Sequence, residues 1–476
     1  GFNGDIQEAQ PMWSCDTPEK VKAASSEKHF PCISEYSSKV NLVLGHRRLA
    51  IVDTSDFGHQ PMSCGNGRYW ITFNGEIYNY KELRVELEEL GCKFKTDTDT
   101  EVLLHAYVVW GKKLLGRLNG MWSFVIYDSD SRTMFASRDR FGIKPFYYWV
   151  DDSNTFYFAS EIKQFTVLPG WKARINKQRS YDFLVHGVTD HTEETMFDGV
   201  YQLPPGCCAL FHLDDLELNT GKRLKHDRWY QIPNTKYTGT YDEAVKGFRS
   251  LFIDAIRLQM NAAVPLGTSL SGGLDSSSIV CCVNEQLKKD GNQFQRTFSS
   301  CSEDKKYDER EYIEQIRAER NIESHYVFPD IENTIKNLDI SIWHHDEPYG
   351  STSIHAEWDV FQLAANNGMK VSLDGHGADE QLLGYSSFYG RNVASLMRQW
   401  KFISAIKEYL TLKASSVFGP KDLVKSTISA VLPNRLYILF QQGFQRKQNS
   451  PRWLNSKSWG VRKVNPYLES GISPNE

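Results

Sequence analysis

Seven consecutive residues, Ser271-Gly272-Gly273-Leu274-Asp275-Ser276-Ser277, combine small flexible backbone, hydroxyl donors and one acid. Glycines let a chain approach an anion closely, and serines add donors. If a helix opens here, its first N–H groups have no partner within the helix and face the same point. The chemistry that suits such a run is polyphosphate binding, with Asp275 turned to a Mg²⁺ bridging the phosphates. No Lys-Ser/Thr pair follows the glycines, so this is not a Walker A loop. The plainer alternative is a Ser/Gly-rich turn that binds nothing.

A second run of this kind is Leu373-Asp374-Gly375-His376-Gly377-Ala378-Asp379-Glu380. Its glycines again permit close approach, and Asp379 offers a second hard oxygen ligand, since Mg²⁺ is held better by two carboxylates plus phosphate oxygens than by one. The alternative is an acidic turn that caps the next helix. Phe73-Asn74-Gly75-Glu76-Ile77-Tyr78-Asn79 reads as a strand leaving into a turn. An Asn amide beside a Gly N–H offers two donors for an oxyanion, although Asn-Gly is also the commonest hairpin turn. Arg48 is able to clamp a carboxylate in bidentate fashion. Thr96-Asp97-Thr98-Asp99-Thr100-Glu101 reads first as a capped helix start, with Asp99 also able to meet an ammonium group. Both readings stay open for Arg48 and Asp99. The acids Asp308-Glu309 and Asp346-Glu347-Pro348 read as caps or solvated faces. His105 and His344-His345 read as structural.

These loops need elements to hold them. Val264–Leu270 is an apolar run before the heptapeptide, and Ile279, Val280, Val283 and Leu287 recur at helical spacing after it. Strand candidates follow at 295–299, 325–328 and 369–373, with helical patterns between them. Alternating strand and helix predicts a doubly wound parallel sheet, with ligand at the C-terminal strand ends. Upstream, Leu42–Leu44, Leu49–Val52, Tyr69–Phe73, Trp122–Tyr127 and Thr133–Ala136 are strand candidates. Leu83, Leu87 and Leu90 mark a helix ended by Gly91, and Val102 through Trp110 mark another ended by Gly111. Strands, then helices, then strands predict a layered α+β domain. Between about 212 and 240 charges, Asn, Gly and Pro replace apolar runs, which places a linker there. Thr240 with Glu243 then forms a capping box. Residues after about 386 read as mainly helical.

A chain of 476 residues is too long for one ordinary core. A formal net charge of −4 and a pI near 6.4 favour neither nucleic acid nor an anionic membrane as partner. No apolar run approaches the roughly 20 residues of a membrane span. The 9 cysteines include the adjacent pairs Cys207-Cys208 and Cys281-Cys282 but no Cys-x-x-Cys, which argues against a zinc site or disulfide framework. Reduced thiols fit a cytoplasmic protein.

Taken together, the motifs resemble those of the glutamine-dependent asparagine synthetases. The matching stretches are Gly45 through Asp53, Gly58-His59-Gln60-Pro61-Met62, Phe73 through Asn79, Arg138 through Pro145, Leu203-Pro204-Pro205-Gly206, Ser271 through Ser277 and Gly375 through Gly384. The resemblance implies an α+β N-terminal-nucleophile (αββα) glutaminase domain at 1–211 and a linker at 212–240. An α/β doubly wound parallel-sheet ATP-pyrophosphatase domain is then expected at 241–476. Its small-molecule substrates would be glutamine, aspartate and ATP, with Mg²⁺ as cofactor and ammonia passing between the sites. Arg48, Leu49, Ala50, Ile51, Val52, Glu76 and Asp99 would hold glutamine, and Asn74 and Gly75 would form the oxyanion hole. Leu270, Ser271, Gly272, Gly273, Asp275, Ser276, Ser300, Asp374 and Gly375 would meet ATP. Asp275 and Asp379 would carry the metal.

This sequence departs from the family's pattern in several places. The family opens with Met-Cys-Gly, whose Cys is the nucleophile, so the intact polypeptide is expected to begin that way and to continue beyond Glu476. The Arg-Gly-Pro-Asp run that normally precedes the Gly-His-Arg segment is not present. His376, facing the acyl-adenylate, stands where the family usually has an acid, which leaves another carboxylate open as the substrate. A homodimer stays open.

Overall fold

The computed structural model describes residues 41–214, 218–219, 223–291, 294–414, 459–462 and 466. Gly1-Phe2, the segment expected to follow the nucleophile, lies outside the described residues. Two compact units are formed, one from residues 1–174 with 193–373, the other from 175–192 with 374–476.

The first unit carries an antiparallel sheet of β1 (Met62–Cys64), β2 (Tyr69–Ile77), β3 (Gly120–Asp128), β4 (Thr133–Arg138), β8 (Cys207–His212) and β11 (Asp227–Arg228), in spatial order β1-β2-β3-β4-β8-β11. Strand alternation gives it two faces. Phe124, Ile126 and Phe135 point into a core with Leu83 and Leu87 of α1 (Tyr80–Glu89) and Val102, Leu103 and Ala106 of α2 (Asp99–Trp110). The intervening Val125, Tyr127, Met134 and Ala136 point the other way, into a core with Phe146, Tyr148 and Leu203. That second face is covered by a three-stranded antiparallel sheet, β6 (Phe156–Ala159), β5 (Tyr147–Val150) and β7 (Val200–Gln202). Helix, sheet and sheet thus form the layers. A short hairpin, β9 (Leu218–Asn219) with β10 (Arg223–Leu224), follows β8.

The Thr240 capping box is formed and opens α4 (Tyr241–Gln259). A parallel sheet follows, made of β12 (Leu266–Ser269), β13 (Gln295–Ser300), β14 (Ile322–Val327) and β15 (Val371–Leu373) in spatial order β14-β13-β12-β15. The connecting helices are α5 (Leu274–Lys289), α6 (Arg310–Glu319), α7 (Ile331–His345) and α8 (Thr352–Asn366). The chain steps outward from β12 to β14, then crosses back to the other side of β12. The switch point therefore lies between β12 and β15, which is where open α/β sheets bind ligands.

The second unit is helical where described, with α3 (Lys177–His186), α9 (Ala378–Leu382), α10 (Ser386–Arg398) and α11 (Phe402–Ala414). Val393, Ala405 and Leu412 form its small core. Among the described residues, no helix is long and apolar enough to cross a membrane.

Two expectations need correction. Leu42–Leu44 and Leu49–Val52 lie outside regular strands. The second segment is held as a loop by Arg48, whose guanidinium donates to the carbonyls of Ser55, at 3.1 Å, and Asp53. Asn74-Gly75 is also not a turn. It sits inside β2, where Asn74, Gly75 and Glu76 pair with Ser123, Trp122 and Met121.

Candidate active sites

Glycine is required at position 75 by proximity: a Cβ there would lie 2.1 Å from the Met121 carbonyl oxygen. The close approach leaves Asn74 and Glu76 flanking a spot with no side chain. Asn74 donates its Nδ2 to Ser160 Oγ at 3.2 Å. Gln60 fixes the strand one residue earlier, accepting from Phe73 N at 2.7 Å and donating to Phe73 O and to Thr100 Oγ1.

Asp99 opens α2 behind a Thr98 cap that accepts from Thr100 N. Its carboxylate accepts from Ile77 N at 3.0 Å and from Thr98 Oγ1. Asp99 is thus both the helix-start residue and a group aimed at the end of β2. Glu101 ties down the loop before the helix, accepting from Lys95 N, Thr96 N and Thr96 Oγ1. Burial pushes the Asp99 carboxyl up to about 6, against its hydrogen bonds and the Arg48 charge. Burial, with the Asp99 charge added, pushes Glu76 up to about 7. The two acids, the Arg48 cation and the Asn74 amide therefore belong to one neighbourhood, whose charges are set by poor solvation.

Lys144 and Ser160 are the members that the motif reading missed. The turn at 138–145 is tied by Asp139, whose carboxylate accepts from the backbone N–H groups of Trp122, Phe141, Ile143 and Lys144. Arg138 closes it by donating to the carbonyls of Gly142, Lys144 and Leu203. The turn thereby brings Lys144 toward Glu76. Burial lowers the Lys144 ammonium, and the charges of Glu76 and Asp139 act the other way. The Arg138 through Pro145 motif contained that signal, but nothing in it said which acid Lys144 would face. Of the segment Leu49-Ala50-Ile51-Val52, Leu49 is exposed, and Ile51 O accepts from Ala263 N at 2.8 Å.

At the other site the heptapeptide leaves β12 and opens α5, as its composition suggested. Gly273 is the N-cap and supplies no side-chain acceptor, so no side-chain cap covers the first turn. Ser271 Oγ lies 3.0 Å from Ser276 Oγ and accepts from Gly273 N, while Ser276 Oγ accepts from Ser271 N. Gly272 has φ +83°, and a Cβ there would come within 3.0 Å of the Glu309 carbonyl. Asp275 lies in the first helical turn. Leu270 is buried in a core with Val280, Ile313 and Ile322, and its N–H donates to Phe298 O while its carbonyl accepts from Ser299 Oγ. Ser300 ends β13 and is exposed. A cleft of about 320 Å³ beside the loop is lined by Gly272, Leu274, Ser277, Tyr312, Gln315, Ile316 and Glu319.

The second unit carries Asp374, Gly375, His376 and Asp379. Asp379 lies in the first turn of α9, and its carbonyl accepts from Gly384 N at 2.9 Å. His376 is exposed. No group of three metal-binding side chains is found among the described residues.

Comparison with known proteins follows the same division. The glutamine amidotransferase domain family matches residues 30–222, and the asparagine synthase family matches 247–468. Asparagine synthetase (glutamine-hydrolysing) 3 of Bacillus subtilis strain 168 is 31% identical over 83% of this chain and 67% of its own length. The putative asparagine synthetase (glutamine-hydrolysing) 2 of Methanocaldococcus jannaschii is 32% identical over 90% of this chain and 83% of its own. Asparagine synthetase (glutamine-hydrolysing) 1 of Bacillus subtilis is 33% identical over 86% of this chain, which spans 62% of that relative. With both domains matched in order and that coverage, the chain belongs to the glutamine-hydrolysing asparagine synthetase family.

Proposed function

We propose that this chain takes the amide nitrogen of glutamine and transfers it to the side-chain carboxylate of aspartate at the expense of ATP. The observation that carries the reading is the occurrence, on one chain, of a cluster of poorly solvated charges beside Asn74-Gly75 with an uncapped helix start at a parallel-sheet switch point.

In the first pocket Arg48 suits the glutamine α-carboxylate, and Glu76 and Asp99 suit its α-ammonium. Asn74 Nδ2 and the Gly75 N–H suit the oxyanion that forms when the amide carbon is attacked. Preorganised donors of this kind are among the largest contributors to such reactions. At the second site the first-turn N–H groups of α5, with Ser271 and Ser276, suit the ATP phosphates. The aspartate carboxylate attacks the α-phosphorus, pyrophosphate leaves, and ammonia displaces AMP at the acyl carbon. Asp275 and Asp379 would hold Mg²⁺, which when bound offsets the negative charge of the departing pyrophosphate. The αββα N-terminal-nucleophile class, the 1–211, 212–240 and 241–476 division and a cytoplasmic setting belong to this reading.

His376 singles out the carboxylate as the part to test, since the resemblance implies an acid there. The experiment is a panel of carboxylates in a pyrophosphate-release assay with ATP, Mg²⁺ and ammonia. Aspartate is expected to give the highest turnover. Release with a different carboxylate but not aspartate would assign the chain to another amide-forming reaction.

A further inference from the structure

Asp346 ends α7, in the nucleotide-binding half of the sequence, yet its side chain is spent on the amidotransferase half. Its Oδ2 accepts from Ile162 N at 2.8 Å and its Oδ1 from Lys163 N at 3.1 Å. The same Oδ1 lies 3.1 Å from Lys163 Nζ, with the two side chains only 7% and 13% exposed. Lys163 Nζ also donates to His344 O. Next in sequence, Glu347 Oε1 accepts from Met196 N at 2.5 Å. Asp346 adopts φ +63° and ψ −38°, a conformation that non-glycine residues rarely hold without compensating contacts.

The receiving segment leads straight to Asn74. Ile162 and Lys163 open a 3₁₀ turn, Ile162–Val167, whose preceding residue Glu161 provides no side-chain cap. Asp346 fills that role from 183 residues away in sequence. The turn is anchored by buried Ile162 and Phe165 against Val200. Two residues before Ile162, Ser160 Oγ accepts from the Asn74 amide. The bonds thus run from Asp346 to the 3₁₀ turn, through Ser160, to Asn74. The nucleotide-binding half also bonds the loop that follows Arg48, through Ala263 N to Ile51 O just ahead of β12.

We propose that Asp346 is a positioning residue, through which the nucleotide-binding half fixes the Asn74 amide for glutamine hydrolysis. The inference rests on the reading of Asn74 as an oxyanion donor. Charge-assisted bonds to backbone N–H groups are short and strong, and here they are shielded from water. Loosening them lets Ser160, and with it the Asn74 amide, drift from the position where negative charge develops.

The test uses the full-length protein with Asp346→Asn, Asp346→Ala and Ser160→Ala. Three quantities are measured: amide hydrogen exchange across 160–167, kcat and KM for glutamine hydrolysis, and ammonia-driven pyrophosphate release. Asp346→Asn is expected to speed exchange at Ile162 and Lys163 and to lower glutaminase kcat about tenfold, since misplacing one oxyanion donor costs less than removing it. KM for glutamine should stay within about twofold, because Arg48, Glu76 and Asp99 are untouched, and ammonia-driven release should not change. Ser160→Ala should lower kcat without altering exchange at Ile162 and Lys163. If Asp346→Ala does not fold, the Asn variant and Ser160→Ala decide the matter. Unchanged kcat in Asp346→Asn, or an equal fall in both activities, would overturn the proposal. A wild-type protein that hydrolyses no glutamine would overturn the functional reading instead. The contact would then be judged by exchange alone, and unchanged exchange in Asp346→Asn would refute it.

Discussion

The pocket around β2 and the loop after β12 handle charge in opposite ways. Around β2, ionisable groups are already gathered and poorly solvated: Glu76 and Asp99 are pushed up and Lys144 down by burial. At the β12 loop the donors are backbone N–H groups and serine hydroxyls, and no side chain caps the helix. On the proposed reading, the first site would receive a zwitterion whose charges replace solvent, and the second a ligand that brings the charge with it. The two would then bind small charged molecules differently, one by preset side-chain charge and one by open backbone dipoles.

The difference makes the acids unequal in their effects. Asp275→Ala or Asp379→Ala is expected to abolish Mg²⁺-dependent pyrophosphate release while leaving glutamine hydrolysis in place, because each would remove a ligand charge from the metal that offsets the leaving group. Near-normal synthesis in either variant, measured in the same release assay, would remove that residue from the metal.

Gly75→Ala should be the next most damaging. Its Cβ would fall 2.1 Å from Met121 O, between two backbones that cannot both give way. A loss of roughly 3 kcal/mol or more is expected in denaturant unfolding, as for overpacked cores. A well-folded variant of unchanged stability would mean that β2 and β3 are not paired there as described.

These residues also mark what sequence reasoning reaches. The apolar run of β3 and the Leu spacing of α1 are strong signals, and both elements were legible from them. The Thr240 box and the heptapeptide were legible because each is a local pattern with a local cause. Asn74-Gly75 misled because a glycine needed for close strand approach has the same letter as one needed for a turn. Leu49–Val52 misled because its apolar run carries no sign that Arg48 bonds the following carbonyls. Lys144, Ser160 and Asp346 were not legible in these roles, since their partners are distant in sequence. Asp346 was expected to cap or to face solvent. It does cap, but on a different element.

Titration separates the two sites next. Glu76 is raised from 4.5 to about 7, so it is protonated in both folded and unfolded chains below about 4.5 and adds no penalty there. Between about pH 4.5 and 7 the unfolded chain gives up this proton while the folded form keeps it, so stability falls across that interval by on the order of a few kcal/mol and levels off above it. Asp99, raised to about 6, acts in the same direction. Glu76→Gln should therefore flatten the loss of stability between pH 5 and 8 in thermal unfolding. Glutamine affinity should rise across the same interval, as Glu76 ionises to meet the ammonium, and the variant should lack that rise. ATP affinity should show neither trend. A wild-type glutamine affinity independent of pH would remove Glu76 from the ammonium.

The smallest effect belongs to the loop serines. Ser276→Ala removes the acceptor of Ser271 N and a hydroxyl donor to Gly273 O. ATP affinity should fall by about 1 kcal/mol, the worth of an ordinary hydrogen bond. Isothermal titration at fixed Mg²⁺ reads it directly, and an unchanged affinity would remove Ser276 from the phosphate site.

The central claim is that nitrogen taken at the β2 pocket is joined to a carboxylate activated at the β12 loop. The most direct measurement supplies the full-length protein with amide-¹⁵N glutamine, aspartate, ATP and Mg²⁺, and follows the label by mass spectrometry. The account predicts ¹⁵N in the side-chain amide of asparagine, formed one for one with pyrophosphate. Label that remains in glutamine while pyrophosphate is released, or that accumulates only as free ammonia, would contradict it.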